Sequence, residues 1–135
     1  GLGDVYKRQI IMFGVPGACT STCSAKHLPS YVNNYKEIFS LGISDIICVS
    51  VNDPFVMHAW GEFSNANEHI KMMSDIGGYL ARKMGIESDF GPNLLMRMKR
   101  FAMIVKNNEI KEFIIDEKGD YGKTSGENII SLLKR

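Results

Sequence analysis

Three cysteines, Cys19, Cys23 and Cys48, are the residues of this 135-residue sequence best suited to covalent chemistry. The thiolate, not the thiol, is the nucleophile, so the question is which sulfur has its pKa lowered. Cys48 lies inside the apolar run Asp45-Ile-Ile-Cys-Val-Ser-Val51 and reads as core. Cys23 closes the small-residue stretch Gly14-Val-Pro-Gly-Ala-Cys-Thr-Ser-Thr-Cys23, between a strand-like run and a helix-like one. With Thr20 as N-cap, Cys23 is the third residue of that helix. The first amide N–H groups of a helix lack partners inside it, and together with the macrodipole they favour negative charge. The pKa of Cys23 is therefore expected to fall below the free value of about 8.5, which activates it at neutral pH. Position alone leaves a second reading open, since a cysteine is more often a small buried hydrophobe.

The elements that must hold this loop can be traced along the chain. Gln9 to Phe13 is a short β-branched apolar run, bounded by Gly14 and Pro16, and reads as a buried strand. A helix is expected from Thr20 or Ser21, with Leu28, Val32, Tyr35 and Phe39 on one face, a kink at Pro29 and an end at Gly42. Asp45 to Val51 reads as a second strand. Asp53-Pro54 is an N-cap followed by proline at the first helical position, opening a helix to about Glu62. Ile70 to Met73 reads as a strand, and Gly77-Gly78 turns into a helix over Tyr79 to Met84. Arg100 to Val105 and Ile110 to Ile115 form a hairpin around Asn107-Asn108. Lys118-Gly119 is a turn. Thr124-Ser-Gly-Glu127 has the form of a capping box, before a last helix that buries Ile129, Ile130 and Leu133. Early strands joined by helices imply parallel pairing, and the late hairpin is antiparallel. The expected fold class is α/β, a mixed central sheet with helices on both faces; a thioredoxin-like fold has this order.

The bulk numbers suit one globular domain, with 44% hydrophobic and 23% charged residues. A net charge of +1 carries no electrostatic footprint for nucleic acid or a membrane surface, and neither is expected as a partner. No apolar run approaches the roughly 20 residues of a membrane-spanning helix. An odd number of cysteines argues against a secreted disulfide framework and for a reducing compartment. Residues 1–9 read as an expression remnant or the end of a truncated segment, and residues 10–135 as a single domain.

Pro16-x-x-x-Thr20-x-x-Cys23 matches the P-x-x-x-[ST]-x-x-C motif of the peroxiredoxins, and the chain resembles their atypical peroxiredoxin-5 branch. The resemblance extends from Phe13 to Pro29, and through Ser50-Val-Asn-Asp53, Phe55-Val56, Trp60-Gly61, Met98-Lys-Arg-Phe101 and Asn128-Ile-Ile-Ser131, in the family's order. It implies a thiol peroxidase in which Cys23 attacks a peroxide oxygen and becomes a sulfenic acid. By the same resemblance Thr20 donates to the sulfur or the peroxide oxygen, besides capping the helix. Pro16 fixes the loop and shields the thiolate. Arg100 favours the thiolate and donates to the leaving oxygen; the resemblance alone selects it over Arg97 and Lys99. His27, one turn after Cys23, reads as a structural histidine rather than a base. No cofactor or metal is implied.

The chain departs from many relatives in one respect. They carry a resolving cysteine near the start of the last helix, where this sequence reads Lys123-Thr-Ser-Gly-Glu-Asn128. It therefore resembles the one-cysteine forms, whose sulfenic acid is reduced by an outside thiol: glutathione, glutaredoxin or thioredoxin. Cys19 reads chiefly as packing, with a short-range disulfide to Cys23 as the sharper alternative. The substrates implied are hydrogen peroxide and alkyl hydroperoxides. A homodimer through loops around the active site is a further expectation, as is an intracellular location, cytoplasmic or organellar (mitochondrion or plastid). Two other classes fit the same thiol. A disulfide oxidoreductase would want a C-x-x-C pair where only Cys19-x-x-x-Cys23 is present, and a redox switch or holdase would need no turnover.

Overall fold

The computed structural model describes residues 8–20, 22–117 and 120–135; of Cys23 and Ser24 it describes the backbone. The run that reads as a first strand becomes β1 (Gln9–Val15), the middle of a five-stranded sheet. To one side lie β2 (Asp45–Ser50) and then β3 (Lys71–Ser74), all parallel. To the other lie β6 (Arg100–Lys106) and β7 (Glu109–Asp116), each antiparallel to its neighbour. This is the mixed sheet expected from the element order. Asn107 and Asn108 both take left-handed φ, 54° and 66°, which a two-residue hairpin requires.

Alternation along the strands feeds two cores. Ile11, Phe13 and Val15 of β1 and Ala102 and Ile104 of β6 face one side. There they meet Leu28 and Tyr31 of α1 (Leu28–Val32), Ile38 of α2 (Tyr35–Ser40), Met57 and Trp60 of α3 (Pro54–Phe63), and Ile129 and Ile130 of α5 (Gly126–Leu133). Phe101 and Met103 face the opposite side, against Ala81 of α4 (Tyr79–Lys83) and Ile86. A small sheet of β4 (Glu87–Asp89) and β5 (Met96–Met98) completes that side, and its three-residue strands are too short for periodicity to reveal. Burying one side chain such as Ile11 or Phe13 stabilises the fold by about 1.5–3 kcal/mol.

Two local expectations change. The helix after the first loop opens as a π-helical turn, Cys23–His27, continues as α1, and breaks at Asn33–Asn34 before α2. The irregularity thus lies before Pro29, which lacks the N–H that an α-helix would direct at the Ala25 carbonyl; widening the preceding turn relieves that conflict. Leu28 of the expected face is fully buried and Val32, Tyr35 and Phe39 pack partly buried against the core, while Tyr31 and Ile38 join it as fully buried residues. Second, the N-cap of α5 is Ser125, not Thr124: the Ser125 hydroxyl accepts from the Asn128 amide at 3.1 Å. The expected Lys118-Gly119 turn lies outside the described residues. The Asp53 cap stands, its carboxylate accepting from the Val56 amide at 2.9 Å, and Gly42 ends α2 with φ 95°.

Helix α5 is seated on α1 by a glycine. A Cβ added at Gly126 would lie 2.4 Å from the Ser30 carbonyl oxygen, and the Gly126 amide donates to Ser30 Oγ at 2.9 Å. Gly126→Ala is expected to cost about 1–3 kcal/mol in urea unfolding, because backbone rather than a pliable side chain must give way.

Candidate active site

Parallel β1 and β2 end on the same side of the sheet, and β6, antiparallel to β1, begins there. Arg100, the first residue of β6, pairs in register with Asp116, the last of β7. The topology thus gathers the loop after β1, the start of β6 and the end of β7 at one edge, where open α/β sheets place their ligands. The loop is held from β2: Asn52 Oδ1 accepts from the Ala18 amide at 3.0 Å and from Ser50 Oγ at 2.6 Å.

At this edge lies a cavity of about 300 Å³. Pro16, Thr22 and Arg100 line it, with Lys26, Lys99 and Tyr121 around them. Two of the sequence-predicted residues, Pro16 and Arg100, therefore share one cavity. Cys23 is the first residue of the π-helical turn that follows Thr22, at a helix start as expected. The Thr20 hydroxyl donates to the Gly17 carbonyl at 2.7 Å. The hydroxyl oxygen keeps lone pairs that can accept from a further donor.

Arg100 differs from its basic neighbours. It is 8% exposed, and its Nη1 lies 2.8 Å from His27 Nδ1. Its guanidinium stacks over the Tyr121 ring at 5.7 Å. Arg97 is tied instead to the Leu94 and Val51 carbonyls, and Lys99 pairs with Glu117 at 3.4 Å. The structure itself thus separates the three cations.

His27 is a structural histidine, as expected, and its partners include Arg100. It is fully buried between Phe13, Tyr31 and Tyr121. Nε2 donates to the Thr124 carbonyl at 3.1 Å, which leaves Nδ1 as the acceptor for Arg100. Burial, and then the Arg100 charge, lower its pKa from 6.5 to about 3, so the ring is neutral and Arg100 carries the positive charge. Spacing from Cys23 was the only sequence signal, and it does not reveal a partner 73 residues away. Asp116, Tyr121 and Thr124, which complete these surroundings, had no such signal.

The folded pKa of His27 lies below the unfolded value. As pH falls through 6.5 the unfolded chain takes up a proton that the native chain refuses until about 3, so stability is lost over that window. His27→Gln keeps a donor and an acceptor but does not titrate. Native protein should therefore lose more stability than His27→Gln between pH 7 and pH 4.5, read as the drop in urea midpoint.

Cys19 is placed elsewhere. It is exposed, which overturns its reading as a packed residue. Its φ of 65° is left-handed, unusual for a residue with a Cβ. It lines a separate cavity with Pro29, Val32, Trp60 and Phe63, sharing no residue with the Arg100 cavity. Cys48 is fully buried in β2, as expected. His58 pairs with Glu62 and His69 stacks on Tyr35, both away from this edge.

Comparison with known proteins shows the family. Residues 1–128 match the Redoxin family. Peroxiredoxin-2D of Arabidopsis thaliana is 39% identical over 127 residues, covering 93% of this chain and 78% of the relative. The mitochondrial peroxiredoxin-2F of the same plant is 34% identical over 131 residues, covering 96% and 65%. Among solved structures, reduced Prx3 from Vibrio vulnificus in complex with hydrogen peroxide superposes with a TM-score of 0.91 at 34% identity, covering 98% of this chain and 83% of that one. With its thioredoxin-like sheet and its P-x-x-x-T-x-x-C loop, this chain belongs to the redoxin family and is a peroxiredoxin, a thiol-dependent peroxidase.

Proposed function

We propose that Cys23 is the peroxidatic cysteine and that Arg100, Thr20 and Pro16 complete its site. The Cys23 thiolate attacks one oxygen of the O–O bond. The bond breaks, sulfur becomes a sulfenic acid, and the other oxygen leaves as water or an alcohol after taking a proton. Arg100 favours the thiolate over the thiol and donates to the departing oxygen. Thr20 orients the peroxide, and Pro16 covers the sulfur. The observation that supports this most is the buried guanidinium of Arg100, in one cavity with Pro16 and Thr22 and beside a neutral histidine.

Hydrogen peroxide and alkyl hydroperoxides are the substrates of this reading. The start of α5 holds no cysteine, so recycling falls to an outside thiol: glutathione, glutaredoxin or thioredoxin. One thiol condenses with the sulfenic acid to a mixed disulfide and water, and a second releases Cys23. The compartment is cytoplasmic or organellar, and the mitochondrial relative makes an organelle part of the proposal.

Stopped-flow mixing with hydrogen peroxide tests the reading. Without thiol the protein should rapidly consume one equivalent per chain and stop, and with glutathione or dithiothreitol consumption should continue. Consumption no faster than that of a free thiol would overturn the peroxidase reading of this site.

A further inference from the structure

We propose that Asp116 is a positioning residue for Arg100, acting through the loop before α5 and the ring of His27. The proposal rests on the role given to Arg100 above. Asp116 is 3% exposed. Its Oδ2 accepts from the Gly122 amide at 3.2 Å, the Thr124 amide at 3.0 Å and the Thr124 hydroxyl at 2.7 Å, and its Oδ1 accepts from the Lys123 amide at 3.2 Å. An ionised carboxylate accepts only, which suits it to four converging donors. Burial pushes the pKa of Asp116 up, but the hydrogen bonds from Thr124, Lys123 and Gly122 outweigh it, so the carboxyl titrates below its ordinary value.

The loop so gripped presents the Thr124 carbonyl to α1 and the turn before it. That oxygen accepts twice, from Tyr31 Oη at 2.7 Å and from His27 Nε2 at 3.1 Å. The second bond carries the inference. A neutral imidazole has one N–H, and arginine has donors only. Arg100 can approach Nδ1 at 2.8 Å only while the ring proton is on Nε2. The Thr124 carbonyl selects that tautomer, as the second partner of a site histidine commonly does. Were the carbonyl to move, a proton on Nδ1 would face Arg100 donor to donor and turn the guanidinium from its place. A plain loop anchor would affect stability and leave the tautomer of His27 alone.

The two roles are separated by ¹⁵N NMR of histidine-labelled protein, with His27 assigned through His27→Gln, read beside the rate of peroxide oxidation. In Asp116→Asn an amide NH₂ replaces one oxygen and cannot accept from the loop. We expect the fixed Nε2–H pattern of His27 to be lost and the oxidation rate to fall about tenfold, the scale at which outer partners of a site histidine act. Thr124→Val removes one donor at nearly constant volume and should move both readouts the same way by less. Thr124→Ser restores that donor and should restore both. Asp116→Asn with a native His27 pattern, or with an altered pattern and a native rate, would overturn the proposal. If Asp116→Asn does not fold, Thr124→Val indistinguishable from native in both readouts would do so. Failure of the peroxidase reading looks different: the native protein itself then shows no fast oxidation, while the His27 spectrum still reports on the relay.

Discussion

Cys23→Ser is expected to abolish the fast reaction with hydrogen peroxide, leaving only the slow background of an ordinary exposed thiol. Serine has no sulfur to oxidise, and its hydroxyl does not ionise near neutrality, so neither the nucleophile nor the sulfenic acid can form. Of the other cysteines, Cys48 is fully buried in the sheet. Cys19 is exposed, but its cavity is not the one that Arg100 lines. Cys19→Ser and Cys48→Ser should therefore retain the fast phase. Trapping of the sulfenic acid followed by mass spectrometry identifies the oxidised residue directly. A fast phase that survived in Cys23→Ser and vanished in Cys19→Ser would transfer the nucleophile to Cys19 and refute the assignment.

Arg100→Ala should slow oxidation of Cys23 by about 10²–10³, the usual cost of removing one donor aimed at developing negative charge. Two losses combine. In the proposed site the thiolate loses the positive charge that favours it, so the pKa of Cys23 is expected to rise and its reactive fraction at pH 7 to shrink. The leaving oxygen loses a donor placed in a largely buried site, where such bonds are stronger than in water. Arg100→Lys should recover little of this. Lysine keeps the charge but not the planar fork that meets His27 Nδ1 at 2.8 Å. Arg97→Ala provides the contrast: its guanidinium is tied to the Leu94 and Val51 carbonyls, so its loss loosens the loop after β2 rather than the charge beside the reaction. Measuring oxidation from pH 5 to 9 separates the two losses in Arg100→Ala. A raised thiol pKa shifts the profile, whereas a lost donor lowers its plateau. An unchanged rate in Arg100→Ala would remove this residue from the mechanism.

Much of this molecule is local and could be read along the chain. Strand β1, the proline-capped start of α3 and the Asn-Asn hairpin follow from periodicity, capping and left-handed turn residues, which depend on neighbours a few positions away. So does the placing of Cys23 at a helix start. Local reasoning failed where a distant group competes for a local one. Thr124 fits the N-cap motif, yet its hydroxyl is claimed by Asp116, eight residues upstream on β7, and the cap passes to Ser125. Cys19 looked like packing, yet a left-handed backbone turns it outward.

Legible along the chain were the candidate nucleophile, the order of the strands and helices, and the absence of a second thiol at the start of the last helix. What sets Arg100 apart from the cations near it, and what holds it, came from the packing of distant elements. Arg97, Lys99 and Arg100 are equivalent as text. They part because the antiparallel register of β6 on β1 and β7 buries Arg100 at the sheet edge while its neighbours turn to the rim. His27 likewise gains its meaning from contacts 73 and 97 positions away in sequence. Such pairings are set by the packing of whole elements, where desolvation makes every buried donor and acceptor find its partner, and no local pattern encodes them.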